Sequence, residues 1–273
     1  MAKTAFAVAT HPDDIEFMMA GTLILLKKAG YDIHYMNVAN GSCGSTILSR
    51  AETIRVRAAE ARAAADCINA SFHASLVPDI NVLYEKSTLA KLAAIMRKVN
   101  PQILLVPSPN DYMEDHMNTC RLAVTAAFCM GMQNFPTQPP TKAVRPDCTI
   151  YHALPYGLHD GLRRRVWAGQ YVDIGTVQKQ KQDMLSHHKS QKEWLDHSQG
   201  LNSYLVTMNK MDRVVGRMSK RFRYAEGWRR HSHPGFSSIE HDPVAEALKR
   251  KHVIDQEYES GLLANSQGAS GEQ

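Results

Sequence analysis

Near the start of the chain, the stretch "AFAVATHPDDIEF" (5–17) ends an apolar, strand-like run in a histidine, a proline, two aspartates and, one residue on, a glutamate. Three carboxylates and an imidazole packed this closely repel one another and are costly to desolvate. A divalent cation reverses that cost. His11 and Asp14 stand three apart at the start of a helix-like segment, so both side chains can face one point. Imidazole nitrogen with carboxylate oxygen suits zinc or a similar divalent ion. Asp13, between them, points elsewhere and is free to act as a base. Pro12 stiffens the turn and fits a helix N-terminus, whose dipole also favours the acids. The competing reading is a capping cluster, with Asp13 or Asp14 as N-cap and His11 bonded to a backbone carbonyl. The proline, the doubled aspartate and the strand-end position favour the metal.

A catalytic zinc site takes three protein ligands and keeps one position open, so one more donor is needed. Of 13 histidines, His116 is the best placed, because it opens a helix just after another strand. His187 and His188 in "SHHKSQ", and His231 and His233 in "HSHPG", are weaker candidates.

The elements that must hold these residues alternate along the first 130 positions. Strand-like runs are expected at 4–10, 32–40, 72–77 and 102–108, and helices at 14–30, 48–68, 87–98 and about 115–130. Such alternation predicts an α/β fold, a mostly parallel sheet flanked by helices. Ligands of these sheets bind beyond the carboxyl ends of the strands. "HPDDIE" follows the first strand and "PNDYMEDH" (109–116) follows the fourth, so both belong on one sheet edge. Farther on, "NFPTQPPTKAVRP" (134–146) reads as a surface loop, 148–154 as a strand and 176–199 as one long helix. One domain over 1–263 and a small, polar, disordered tail over 264–273 are expected.

Composition narrows the class. With 44% hydrophobic and 22% charged residues, the chain has the balance of an ordinary globular protein. No apolar run approaches the about 18 residues that suggest a membrane span, and "TAFAVAT" after Lys3 reads as a strand rather than a leader. The five cysteines are scattered and form no C-x-x-C pair, so a disulfide framework is not expected and the cytoplasm is the expected compartment. The net charge of +5 gathers in "RRR" (163–165) and "SKRFRYAEGWRRH" (219–231). No nucleic-acid-binding motif accompanies those runs, so they read as a solvated face or the rim of a site for acidic substrates.

Four segments in order, "HPDDIE", "GSCGS" (41–45), "RAAEARAAADCINA" (57–70) and "PNDYMEDH", resemble the LmbE/PIG-L family of zinc-dependent N-acetylglucosaminyl deacetylases. "KQDMLSHHKSQ" (181–191) and "RYAEGWRRH" (223–231) extend the resemblance over about residues 4–235. It implies a Rossmann-like three-layer sandwich, with Zn2+ or another divalent ion held by His11, Asp14 and His116. It also implies Asp13 as general base, Arg57 as a substrate-contacting arginine with Glu60 as its helix partner, and Asp79 as a substrate-binding aspartate. Without the resemblance, Arg57 reads as one member of an exposed helix salt bridge.

One position departs from the family pattern. Many members carry a histidine three residues before the last metal ligand, where this chain has Met113, which cannot transfer a proton. Tyr112 or His188 is expected to supply the acid instead. Tyr112, Tyr156 and Trp228 are expected to shape the pocket, or else to serve as packing. The substrate implied is a small N-acetylated amino sugar or its conjugate, with no nucleic acid or membrane partner, and the assembly a homo-oligomer. Two alternatives stand beside it: an amidase for larger thiol or amino-acid conjugates, and a non-catalytic metal- or sugar-binding protein.

Overall fold

Every residue from Ala5 to Ala9 is apolar, so strand β1 (Thr4–Ala9) must be covered on both faces. The computed structural model describes residues 3–191 and 204–267 and provides that cover. Ala5, Ala7 and Ala9 face one apolar cluster, and Phe6 and Val8 face another across the sheet. After β1 come α1 (Asp14–Met18), α2 (Ala20–Lys28), β2 (Asp32–Asn37), α3 (Arg50–Asp66), β3 (Ser71–His73), α4 (Lys86–Val99), β4 (Ile103–Val106) and α5 (Glu114–Phe128). The second half adds β5 (Thr149–Ala153), β6 (Gln170–Asp173), α6 (Gln178–Leu185), α7 (Tyr204–Met218), β7 (Ala225–Arg230), α8 (Pro243–Leu248), β8 (His252–Ile254) and α9 (Gln256–Gln267).

The sheet order is β3-β2-β1-β4-β5-β7-β6-β8. The first five strands are parallel, and β7, β6 and β8 continue the sheet antiparallel. The expected mostly parallel sheet with helices on both faces is present. Strand order reverses between β1 and β4, and a ligand crevice opens at such a switch point. No helix among the described residues is long and apolar enough to cross a membrane.

Two expected helices differ from the sequence reading. The segment 14–30 is not one helix but two, broken at Met19. The break is stabilised from far along the chain. Glu226 on β7 accepts hydrogen bonds from the Gly21 and Thr22 amides at 2.8 and 2.7 Å, satisfying the orphan donors at the start of α2. Lys181 on α6 donates to the Phe17 carbonyl at 3.0 Å, at the end of α1. A Cβ at Gly21 would lie 2.5 Å from Ile174, so the bare glycine lets that neighbour pack closely. The long helix expected over 176–199 ends at Leu185, and a turn carries His187 and His188 before helix resumes at 189. Residues 192–199 of that expectation lie outside the described residues. The tail expected over 264–273 begins within α9, which runs to Gln267, and 268–273 lie outside the described residues.

Lys181 is fully buried and reaches Asp212 and Glu226, each at 2.8 Å. Burial alone would lower its pKa, but the two carboxylates outweigh it and hold the ammonium charged. Removing one member of a buried ion cluster leaves the others uncompensated, which costs about 3–5 kcal/mol. Lys181→Met is therefore expected to lose about that much in urea-induced unfolding, and a loss under about 1 kcal/mol would contradict this account of the break at Met19.

Candidate active site

The two segments that follow β1 and β4 meet at the switch point. Asp13 precedes α1 with φ at 109°, a left-handed backbone region that a non-glycine residue enters only at a cost and where surrounding contacts hold it. That turn brings the His11 amide onto the Asp14 carboxylate at 2.8 Å, and Asn37 on β2 donates to the His11 carbonyl at 2.6 Å. Across the crevice, α5 begins at Glu114 and presents His116 from its first turn.

His11, Asp14 and His116 converge, each offering one ligand atom within 4.8 Å of the other two. Asp14 Oδ2 lies 3.7 Å from His11 Nδ1 and 3.5 Å from His116 Nε2. Two ligands each about 2.1 Å from a tetrahedral ion stand about 3.4 Å apart, so these separations fit a divalent cation. The far nitrogen of each ring is engaged by a carboxylate: His11 Nε2 with Asp115 at 3.1 Å, and His116 Nδ1 with Asp111 at 3.0 Å. Such partners fix the ring orientation and raise the basicity of the nitrogen turned to a metal. Burial works against a charge on His116, but Asp14 and Asp111 prevail and raise its pKa to about 9. The surroundings favour positive charge at this point. Asp115 also accepts the Ile80 amide at 2.7 Å. Burial opposes its ionisation, yet the bonds from His11 and Ile80 hold its pKa below the ordinary value.

Asp13 is not a member of this trio and lines the same cavity of about 310 Å³. Burial raises its pKa, against the pull of the Arg57 guanidinium. Arg57 is not the exposed salt-bridge residue of the bare sequence reading. It is buried and donates to Asp13 Oδ2 at 3.3 Å, to the Pro12 carbonyl and to Gln191. A Cβ at Gly44 would lie 2.2 Å from Arg57 Nη1, and one at Gly41 2.7 Å from its Cδ. The glycines of "GSCGS" thus make room for this side chain. Glu60, expected as the partner of Arg57, instead accepts from the Ser190 amide and hydroxyl at 2.8 and 2.6 Å.

Asp79 also lines the cavity, with both oxygens occupied: Oδ1 accepts the Gly41 amide at 2.7 Å and Oδ2 the Cys43 amide at 2.9 Å. It fastens the loop after β2 to the pocket wall. Tyr112 and Met113 line the mouth, with the Tyr112 ring edge-on to His116 at 5.5 Å. Burial, then the Asp14 charge, raises the Tyr112 pKa, so its hydroxyl keeps its proton. Tyr156 lines the wall against Phe17.

Other residues singled out by type and spacing fall elsewhere. His188 does not reach the cavity: it is fully buried, 3.2 Å from Glu16, which accepts from Tyr35. Sealed behind Asp13, its ring cannot meet a leaving group, which corrects the expectation that it supplies the acid. Trp228 is buried in the core and donates to Thr22 at 3.1 Å, so it shapes no pocket. His187 lies beside Cys67 on the surface, and His231 pairs with His152 at 2.9 Å. The sequence reading passed over Asp111 and Asp115, although both stand in "NDYMEDH" beside His116. It also missed Tyr204, whose hydroxyl donates to Asp13 Oδ2 at 2.6 Å and for which no local signal exists.

Comparison with known proteins places this geometry. Residues 6–128 match the family model described as GlcNAc-PI de-N-acetylase. Over 139 residues the chain is 27% identical to a diacetylchitobiose deacetylase of Thermococcus kodakarensis, covering 49% of this chain and 52% of that protein. Over 141 residues it is 28% identical to a 4-oxalmesaconate hydratase of Pseudomonas putida, covering 49% and 55%. The alignments thus span about half the length of the curated relatives. The solved structure of N,N'-diacetylchitobiose deacetylase from Pyrococcus horikoshii superposes with a TM-score of 0.71 at 22% identity, over 86% of this chain and 85% of that one, a likeness of fold. The segment matched to that family model, residues 6–128, is the one that carries His11, Asp13, Asp14 and His116.

Proposed function

We propose that the protein is a metal-dependent amide hydrolase that removes the acetyl group from an N-acetylated amino sugar or its conjugate. The observation that carries the reading is the convergence of His11, Asp14 and His116, each imidazole backed by a carboxylate, with Asp13 unligated beside them. The relatives named as deacetylases support the reaction class. Zinc is the cation we assign, since two imidazoles and one carboxylate with an open position are a common catalytic donor set for it.

When bound, the ion lowers the pKa of a coordinated water and polarises a carbonyl as a Lewis acid. The chain's own residues do the rest. Asp13 accepts the proton of the water that attacks the acyl carbon. Its elevated pKa, a result of burial, suits a group that must hold that proton. The Tyr112 hydroxyl donates to the carbonyl oxygen as negative charge develops there. With Met113 in the position of the usual histidine and His188 sealed away, the proton carried by Asp13 is available to the departing nitrogen. Arg57 and Asp79 serve the site by holding Asp13 and the 41–43 loop, which narrows the substrate-contacting roles expected for them.

A second reading follows from the hydratase relative. His11, Asp14 and His116 would hold a divalent ion equally well for hydration of an activated double bond, with Asp13 again taking the proton of the water. Amine release separates the two. A panel of N-acetylated sugars assayed for free primary amine is expected to give turnover that a chelator abolishes and Zn2+ restores. Turnover unaffected by metal removal, or no amine from any member, would reject the assignment.

Asp13→Asn is expected to bind metal as the wild type does and to lower kcat by about 10²–10⁴-fold, the usual contribution of a general base. Turnover within a few-fold of wild type would remove Asp13 from that role.

A further inference from the structure

Asp13 Oδ2 receives two donors from two different helices. The Arg57 guanidinium comes from α3 at 3.3 Å and the Tyr204 hydroxyl from α7 at 2.6 Å. Oδ1 accepts no hydrogen bond from any described residue, and Asp13 lines the cavity. One oxygen is therefore pinned and the other left for chemistry. Tyr204 is itself fixed: it is buried, and its ring meets Phe17 edge-on with centroids 5.0 Å apart. Burial raises its pKa, with the Asp13 charge adding to the effect, so the phenol stays a donor.

The backbone explains why such a grip is needed. With φ at 109°, Asp13 sits in a strained conformation that relaxes unless contacts hold it. Arg57 secures the preceding residue through the Pro12 carbonyl as well as the carboxylate. Without a second donor, the carboxylate can swing about its own side-chain torsion and exchange its oxygens. A base displaced by about 1 Å loses much of its advantage.

We infer that Tyr204 is a positioning residue of the reaction: by holding Asp13 Oδ2 it aims Oδ1 at the attacking water. It comes from α7, outside the family-matched segment 6–128. The inference rests on Asp13 being the base. It assigns Tyr204 no proton transfer and no contact with substrate.

Tyr204→Phe keeps the ring and its contact with Phe17 and deletes only the donor. The expected result is a kcat lowered about 10- to 100-fold with KM within about two-fold of wild type, because ground-state binding is untouched. Metal content and melting temperature are expected to stay near wild type. In an Asp13→Asn background, the same change is expected to have no further effect on kcat, since residues acting as one unit are not additive. A Tyr204→Phe kcat within two-fold of wild type would overturn the inference, as would an equal loss in both backgrounds or a rise in KM with kcat unchanged. An Asp13→Asn enzyme that stays active overturns the base assignment instead, so the two failures are distinguishable.

Discussion

Negative charge is concentrated where β1 and β4 end, and the rest of the structure depends on how that charge is balanced. Asp13, Asp14, Asp111 and Asp115 all lie within a few ångströms of two imidazoles or of the guanidinium beside them. Left alone, such a group is a large desolvation and repulsion cost. Each carboxylate is instead given a specific task. Asp111 and Asp115 orient the two rings, Asp14 faces the point the rings share, and Asp13 is drawn aside by Arg57 and Tyr204. Division of labour among like charges makes a site of what would otherwise be a liability.

The fold supplies this arrangement through its topology. At a switch point the chain leaves neighbouring strands in opposite directions, so the segments after β1 and β4 share a crevice with no element between them. The loop after β2 forms another wall, tied down by Asp79 and opened by Gly41 and Gly44 for Arg57. The segment at 188–191 closes the back: His188 faces Glu16, Ser190 clasps Glu60 and Gln191 accepts from Arg57. That segment acts by support rather than by chemistry. Its histidine is fully buried and does not line the cavity, whereas its glutamine sits on the cavity wall.

Much of the site was legible because its residues are local. The H-x-x-D spacing of His11 and Asp14, and the placement of His116 just past another strand, follow from the reach of a helix turn and the geometry of a parallel sheet. The centre of the parallel half was equally readable, since β1 and β4 are nearly continuous apolar runs. What escaped notice is non-local. The break at Met19 exists because Glu226 and Lys181, distant in the chain, satisfy the freed amides and carbonyl. The antiparallel strands β6, β7 and β8 are short and carry polar residues such as Gln170, Glu226 and His252, which mask a strand period. Tyr204 lies on an ordinary amphipathic helix, and nothing in its neighbours marks it as a partner of Asp13. For Trp228 the sequence left pocket and packing open, and its indole, buried and hydrogen-bonded to Thr22, is packing.

The proposed chemistry requires two rings and one carboxylate to share a cation. X-ray absorption at the zinc edge of the purified, zinc-loaded protein reads that directly. The expected spectrum has two imidazole nitrogens and lighter oxygen donors at about 2.0–2.1 Å, with no sulfur shell. A sulfur scatterer at about 2.3 Å, or a spectrum without imidazole scattering, would contradict it.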